Sequence, residues 1–342
     1  MAVASQLRSA ARLVLGGIQH VTQGRTPDAA YQSLISLFCR TGGQSSDRLS
    51  QLIALANPPY KLPDARGVAG DFDAGALKAI TEDLDAHGYH VFEHRLPSDL
   101  CDSLLKFAST NPCSVRASSG AGGSSKSLMV ESYDPGKLLG HRYDFSGHDI
   151  INNADVQRLM GDHSLVAVAQ SYLRSKPVLD VMGMWWHTAF GDEPDAEAAQ
   201  FYHFDMDRIK WLKFFIYLTD VGPENGPHCF IEGSHRTGGI PFSLLEKGYS
   251  RLTDEEVAAN YSADRAIEFT APRGTIIAED TRGLHKGKHV RKGDRLMLQL
   301  QFSNSLFGGY YPPSRIARVL DPGLAYMANR FPRIYSNYLK QE

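Results

Sequence analysis

Apolar residues recur at helical spacing near the start of the chain, at Leu7, Ala11, Val14 and Ile18, and again across residues 31–38. This predicts two helices in a helical and looped region that ends near residue 70, where Asn57-Pro58-Pro59 and Leu62-Pro63 break the pattern. Stripes of this kind usually pack on a core; the alternative is an amphipathic helix lying on a membrane or against a second copy. Leu77, Ile80 and Leu84 share one face of residues 74–87, and Gly88 suits a C-cap. Residues 89–93 alternate as a strand, and Ser98 or Asp99 is placed to cap a helix running through 104–108. The pattern then predicts one helix over 155–174, a strand over 177–186, and short helices near 253–257 and 324–329.

The strongest β signal is residues 210–218. Leu212, Phe214, Ile216 and Leu218 take one face there, and Trp211, Lys213, Phe215 and Tyr217 the other. Residues 275–278 and 295–302 read the same way, the latter with Arg295, Met297, Gln299 and Gln301 opposite Leu296, Leu298, Leu300 and Phe302. Short strands divided by Gly, Pro and Asn turns, with helices ahead of them, predict an α+β chain. Its expected core is a double-stranded β-helix (a cupin-like jelly roll) with helices packed on one face. The expected division is a helical N-terminal extension over 1–72, the jelly roll over 73–310, and a tail over 311–342 packed on it. Residues 114–127, rich in Gly and Ser, are expected to form a mobile loop of the sort that covers active sites. They lack the spacing of a phosphate-binding P-loop.

Composition narrows the function. The 342 residues are 42% hydrophobic and 22% charged, with a net charge of −2. Such a balance gives no electrostatic reason to bind nucleic acid or an anionic membrane. Cys39, Cys101, Cys113 and Cys229 are scattered without pair spacing, which suits a reducing compartment. No apolar run is long enough to span a bilayer. The short apolar stretch 13–18 carries two glycines, which argues against a secretory signal. A cytoplasmic location is therefore expected.

The chemistry concentrates at His203 and Asp205. Two residues apart in extended chain, they leave the same face, and one imidazole with one carboxylate makes two of the three ligands of a 2-His-1-carboxylate Fe(II) site. Asp207, on the same face, is the rival carboxylate. His285, just beyond the 275–278 strand, is the candidate third ligand, in competition with His228, His235 and His289. Ten residues on, Arg295 suits a dicarboxylate, because its planar fork bonds a carboxylate through two parallel hydrogen bonds.

These residues, with the segment 217–235 and Gly274 ahead of His285 and Arg295, resemble the phytanoyl-CoA dioxygenase family of Fe(II)/2-oxoglutarate-dependent oxygenases. Residues 84–93 look like that family's opening strand, and the likeness covers roughly 75–305. The resemblance implies iron held by His203, Asp205 and His285, with 2-oxoglutarate anchored by Arg295. It further implies O2 as oxidant, turnover of 2-oxoglutarate to succinate and CO2, and hydroxylation of an aliphatic C–H in a small-molecule or lipid/saccharide-type substrate. It selects Asp205 over Asp207, and the presence of that carboxylate separates the chain from halogenating relatives. Thr281 and Lys213 are further candidates to hold 2-oxoglutarate. The chain departs from the family in carrying Lys286-Gly287 where a small hydroxyl residue often follows the distal histidine. Lys286, Lys288, Arg291 and Lys292 form either a solvated hairpin or a dock for an anionic substrate. Trp185, Trp186, Trp211, Tyr310 and Tyr311 are candidate pocket aromatics. The competing functions are a non-catalytic jelly-roll binding protein and a Zn-dependent hydrolase using the same triad.

Overall fold

The computed structural model describes residues 2–116, 127–130, 132–312 and 314–339. Three helices open the chain: α1 (Ala2–Gln23), α2 (Asp28–Thr41) and α3 (Gln44–Ala56). A small hairpin of β1 (Arg66–Gly67) and β2 (Gly70–Asp71) leads into α4 (Ala74–His87), β3 (Tyr89–Val91) and α5 (Ser98–Thr110). Next come β4 (Cys113–Arg116), β5 (Ser127–Val130), β6 (Arg142–Phe145), α6 (Gly147–Ile151), α7 (Ala154–Met160), α8 (His163–Leu173), β7 (Val178–Thr188) and β8 (Trp211–Tyr217). The chain continues through β9 (His228–Ile231), α9 (Phe242–Leu245), α10 (Asp254–Ala258), β10 (Ala266–Phe269), β11 (Ile276–Glu279), β12 (His285–Gly287), β13 (Asp294–Ser303) and α11 (Pro322–Arg330).

Eight strands form the major sheet in the order β3-β11-β8-β13-β7-β6-β4-β5, and β10-β9-β12 form the minor one. Every strand pairing in both sheets is antiparallel. This is a double-stranded β-helix, and its faces follow from strand alternation. Leu296, Leu298, Leu300 and Phe302 of β13 join Leu212, Phe214 and Ile216 of β8 in a core covered by α4, α5, α7, α8 and α11. The opposite face carries Met297, Phe215, Tyr217 and Trp185 toward Phe230 and Phe269 of the minor sheet. Both faces of the major sheet are thus buried, and the polar side of β13 points into the space between the sheets.

A third apolar cluster lies under the N-terminal helices. Tyr202, Phe204 and Met206 alternate toward Ala30, Leu34 and Phe38 of α2, and the Phe38 and Phe204 rings stack 5.4 Å apart. The intervening His203 and Asp205 are thereby turned the other way, to the inside.

Three expectations need correction. Residues 155–174 are two helices, not one, because the Asp162 carboxylate caps α8 by accepting from Leu165 N–H at 3.1 Å. The preceding Gly161 lies so close to the start of α11 that a Cβ would come 2.6 Å from Leu324 N. Neither Ser98 nor Asp99 caps α5; Pro97 occupies the cap position, with its fixed φ leading into the helix. The α1 stripe does not face the core: Val14 and Ile18 are 66% and 58% exposed. The helix packs instead through Gly16, where a Cβ would meet the Ala30 Cβ at 2.3 Å. Most of the expected Gly/Ser loop, residues 117–126, lies outside the described residues; its flanks are the paired strands β4 and β5. Among the described residues no helix is long and apolar enough to cross a membrane.

Candidate metal centre

His203 and His285 face each other across an isolated antiparallel bridge, with backbone hydrogen bonds of 3.0 and 2.8 Å running both ways. That bridge extends the minor sheet past β12 and sets the two ring centroids 4.3 Å apart. Asp205 N–H donates to the Thr281 carbonyl at 2.8 Å, which pins the carboxylate beside the rings. One ligand atom from each of His203, Asp205 and His285 lies within 4.8 Å of the others, and all three residues are buried. Two further bonds aim the imidazoles. His203 Nδ1–H donates to the Phe201 carbonyl and His285 Nδ1–H to the Gly283 carbonyl, each at 3.0 Å. A carbonyl only accepts, so Nδ1 carries a proton in both rings and Nε2 is the atom left to face a metal.

The electrostatics suit a cation. Burial and the adjacent His285 push His203 well below its ordinary range, which keeps that imidazole neutral. Burial raises the Asp205 carboxyl, but the Lys213 ammonium and His285 outweigh it and hold it well below the usual carboxylate range. Burial lowers His285, but Asp205 outweighs it and raises that imidazole, so a metal binding here would displace its proton. Neutral imidazoles and an ionised carboxylate are the forms that coordinate.

Arg295 lies on β13 opposite His187 of β7. It is 1% exposed, yet no carboxylate pairs with it among the described residues. Its Nη2–H donates to His187 Nδ1 at 2.6 Å and its Nη1–H to the Gly226 carbonyl, while Nε has no partner. The acceptor role of His187 Nδ1 is consistent with its Nε2–H donating to the Ala198 carbonyl at 3.0 Å. A buried guanidinium without a counter-charge is a standing demand for an anion. Gly287 makes room for it: a Cβ there would fall 3.0 Å from Nη2 of Arg295. Arg295 and the triad open into one cavity of about 740 Å³. These residues therefore fit a divalent iron with open positions, and a dicarboxylate reaching from it to the guanidinium.

The family profile described as phytanoyl-CoA dioxygenase matches residues 45–295, a span that includes all four of these side chains. The chain belongs to the phytanoyl-CoA dioxygenase family. It is 32% identical over 145 residues to an ectoine dioxygenase of Sphingopyxis alaskensis, covering 39% of this chain and 44% of that protein. A second ectoine dioxygenase, from Stutzerimonas stutzeri, is 28% identical over 133 residues, or 34% of this chain and 40% of the relative. The chain thus spans less than half the length of the curated relatives it matches. Among solved structures, EctD from S. alaskensis with bound Fe has 20% identity and a TM-score of 0.47, covering 78% of this chain and 95% of that one. HygX from Streptomyces hygroscopicus with nickel and 2-oxoglutarate has 14% identity and a TM-score of 0.48, covering 70% and 91%.

The other candidates of this phytanoyl-CoA dioxygenase family member are placed as follows. Asp207 lines the cavity but is outside the triad, its carboxylate bonded by Tyr311 and lying 3.2 Å from Lys213 Nζ. Lys213 also lines the cavity, 2.5 Å from Asp205. Thr281 stands behind the wall, its hydroxyl accepting from the Trp211 indole at 2.8 Å and its carbonyl from Asp205. His228 faces the cavity with its ring on buried Glu279 at 2.9 Å. His235 donates to the Asp85 carbonyl at 3.2 Å, away from the centre. His289 is half-buried beside Gln200. Trp185 and Tyr311 line the cavity, whereas Trp186 lies in the helix-covered core and Tyr310 is exposed. The basic hairpin is partly neutralised, Lys286 by Asp254 and Lys288 by Glu268. Sequence reasoning missed His187, the partner of Arg295, because the expected strand stopped one residue short of it; its place in the Trp185-His187 alternation was the available signal.

Proposed function

We propose that this chain is an Fe(II)- and 2-oxoglutarate-dependent dioxygenase of the cytoplasm. It hydroxylates an aliphatic C–H of a small, polar substrate. The observation that carries the reading is the pairing, in one cavity, of the His203–Asp205–His285 cluster with a buried, carboxylate-free Arg295. Bound iron with 2-oxoglutarate supplies the oxidising power, through decarboxylation to succinate and CO2.

The chain's own residues prepare that chemistry. Phe201 and Gly283 fix the imidazole tautomers, Lys213 keeps Asp205 ionised, and His187 and Gly226 hold the Arg295 fork. The cavity rim supports a polar substrate over a long acyl chain, since Arg116, Arg142, Asp144, Glu197 and Arg251 all line it. Arg142 and Arg116 lie 2.8 and 2.6 Å from Asp144, and Arg142 stacks over the Trp185 ring at 4.3 Å. A flat aromatic face beside fixed charges recognises polar groups more readily than alkyl chains. The relatives named for acting on ectoine, a small molecule, agree with this reading.

The test is succinate formation from 2-oxoglutarate in the presence of Fe(II) and O2. Dependence on all three components is expected. A binding protein would form no succinate, and a Zn-dependent hydrolase would be active without O2.

A further inference from the structure

A second cavity, of about 630 Å³, opens behind the metal centre between α3, the end of α8 and the turn carrying His235 and Arg236. Its wall is rich in cations: Lys210, Arg174, Arg236 and Arg282. The acids within reach already have partners. Asp47 is bound by Arg282 at 2.8 Å and Thr237 at 2.5 Å, and Asp85 by Arg174 at 2.5 Å. Asp280 is bound by Arg282 at 2.7 Å and Tyr172 at 2.5 Å.

Lys210 is the exception. It is 8% exposed, and among the described residues its ammonium meets no acceptor beyond the face of the Tyr172 ring, 4.0 Å away. A cation–π contact returns only part of the hydration that a buried ammonium gives up. Burial, with the like charges of Arg282 and Arg174, pushes this lysine down to about 8 against the opposing pull of Asp280 and Asp85. Arg236, exposed at the rim, has no ion pair among the described residues.

We propose that this cavity is a binding site for a small oxyanion, a carboxylate or phosphate group, held by Lys210 with Arg236 at the rim. The anion supplies the direct partner that the Lys210 ammonium lacks among the described residues. The site stands back to back with the metal centre. Lys210 precedes Trp211, whose indole bonds Thr281, and Arg282 follows Thr281, whose carbonyl holds Asp205. It is separate from the Arg295 cavity and does not depend on the oxygenase reading.

The test is amine-selective labelling of the full chain at about pH 8, read by peptide mass spectrometry, in a buffer free of phosphate and of carboxylates, 2-oxoglutarate included. Inorganic phosphate and acetate are added in separate arms. At about ten times its Kd an anion should cut Lys210 labelling about tenfold while exposed Lys78 is unaffected. Protection by phosphate alone identifies a phosphate site, and protection by acetate identifies a carboxylate site. Unchanged Lys210 labelling in both arms overturns the proposal. Calorimetric titration of wild type and Lys210→Met with the same two anions is the second measurement. Loss of one bound anion per chain in the variant supports the site, and an unchanged stoichiometry overturns it. Arg236→Ala should weaken the protection, and an unchanged curve would remove Arg236 from the site.

Discussion

Lys213 Nζ lies 2.5 Å from Asp205 Oδ2 and 3.2 Å from Asp207 Oδ2, so one ammonium bridges a buried and a half-buried carboxylate at the edge of the candidate metal centre. A divalent cation bound by the triad would share the Asp205 carboxylate with it. Lys213→Met should therefore destabilise the metal-free protein by about 3 kcal/mol, the cost of unpairing a buried charge. Added divalent metal should restore more stability to the variant than it adds to wild type. Denaturant unfolding with and without metal checks this, and equal metal stabilisation of both proteins would contradict it.

Asp205 is the proposed anionic ligand, because its carboxylate lies with the two imidazoles, whereas that of Asp207 lies outside the cluster and is bonded by Tyr311. Asp205→Ala should abolish succinate formation and weaken iron binding. Asp207→Asn should keep most of the iron affinity. Iron titration of the two variants separates the carboxylates, and wild-type turnover by Asp205→Ala would remove it from the metal.

Removing the Arg295 fork deletes charge-assisted bonds worth about 1.5–3 kcal/mol. Arg295→Ala should then raise the apparent 2-oxoglutarate requirement about 10- to 100-fold, with iron binding intact. The steady-state 2-oxoglutarate dependence is the readout, and an unchanged requirement would place the cosubstrate elsewhere.

Gly287→Ala probes the same anchor from its other side. The new Cβ would sit 3.0 Å from Arg295 Nη2 and 3.4 Å from the His187 ring, so the fork must shift by a few tenths of an ångström. A higher KM for 2-oxoglutarate with nearly unchanged thermal stability is expected. A lower KM would contradict the proposed position of the fork.

The Asp280–Arg282 pair predicts an acid-sensitive element of stability. Burial raises the Asp280 carboxyl, but Arg282 outweighs it and brings it down to about 2, from an unfolded value of 3.8. A depressed carboxyl stabilises the fold above 3.8, and that contribution is lost as pH falls from 3.8 through about 2. It amounts to about 2 kcal/mol. The stability gap between wild type and Asp280→Asn should narrow by that amount across this window. A gap independent of pH would show that the carboxyl is not held low.

Local pattern carried most of the strands that build the centre. The alternation in 210–218 and 295–302 matches the two faces seen in β8 and β13, because a period of two is a property of the extended chain itself. Edges and breaks were less legible. The split at Gly161 depends on α11 packing against that glycine from more than 150 residues away, and the turned face of α1 depends on where Ala30 lies. Strands β4 and β5 escaped notice because their short segments border a Gly/Ser run whose composition reads as loop.

The sequence by itself determined that His203 and Asp205 share a face, that Arg295 lies on the polar side of its strand, and that the chain carries the marks of its family. All three are consequences of spacing along one chain. Only the tertiary structure decided which of the competing histidines stands opposite His203, and that Lys213 lies against Asp205. It also decided that His187 and Gly226, rather than an acid, hold the guanidinium. Those choices depend on register between strands far apart in sequence. A shift of one residue would turn each of these side chains to the other face.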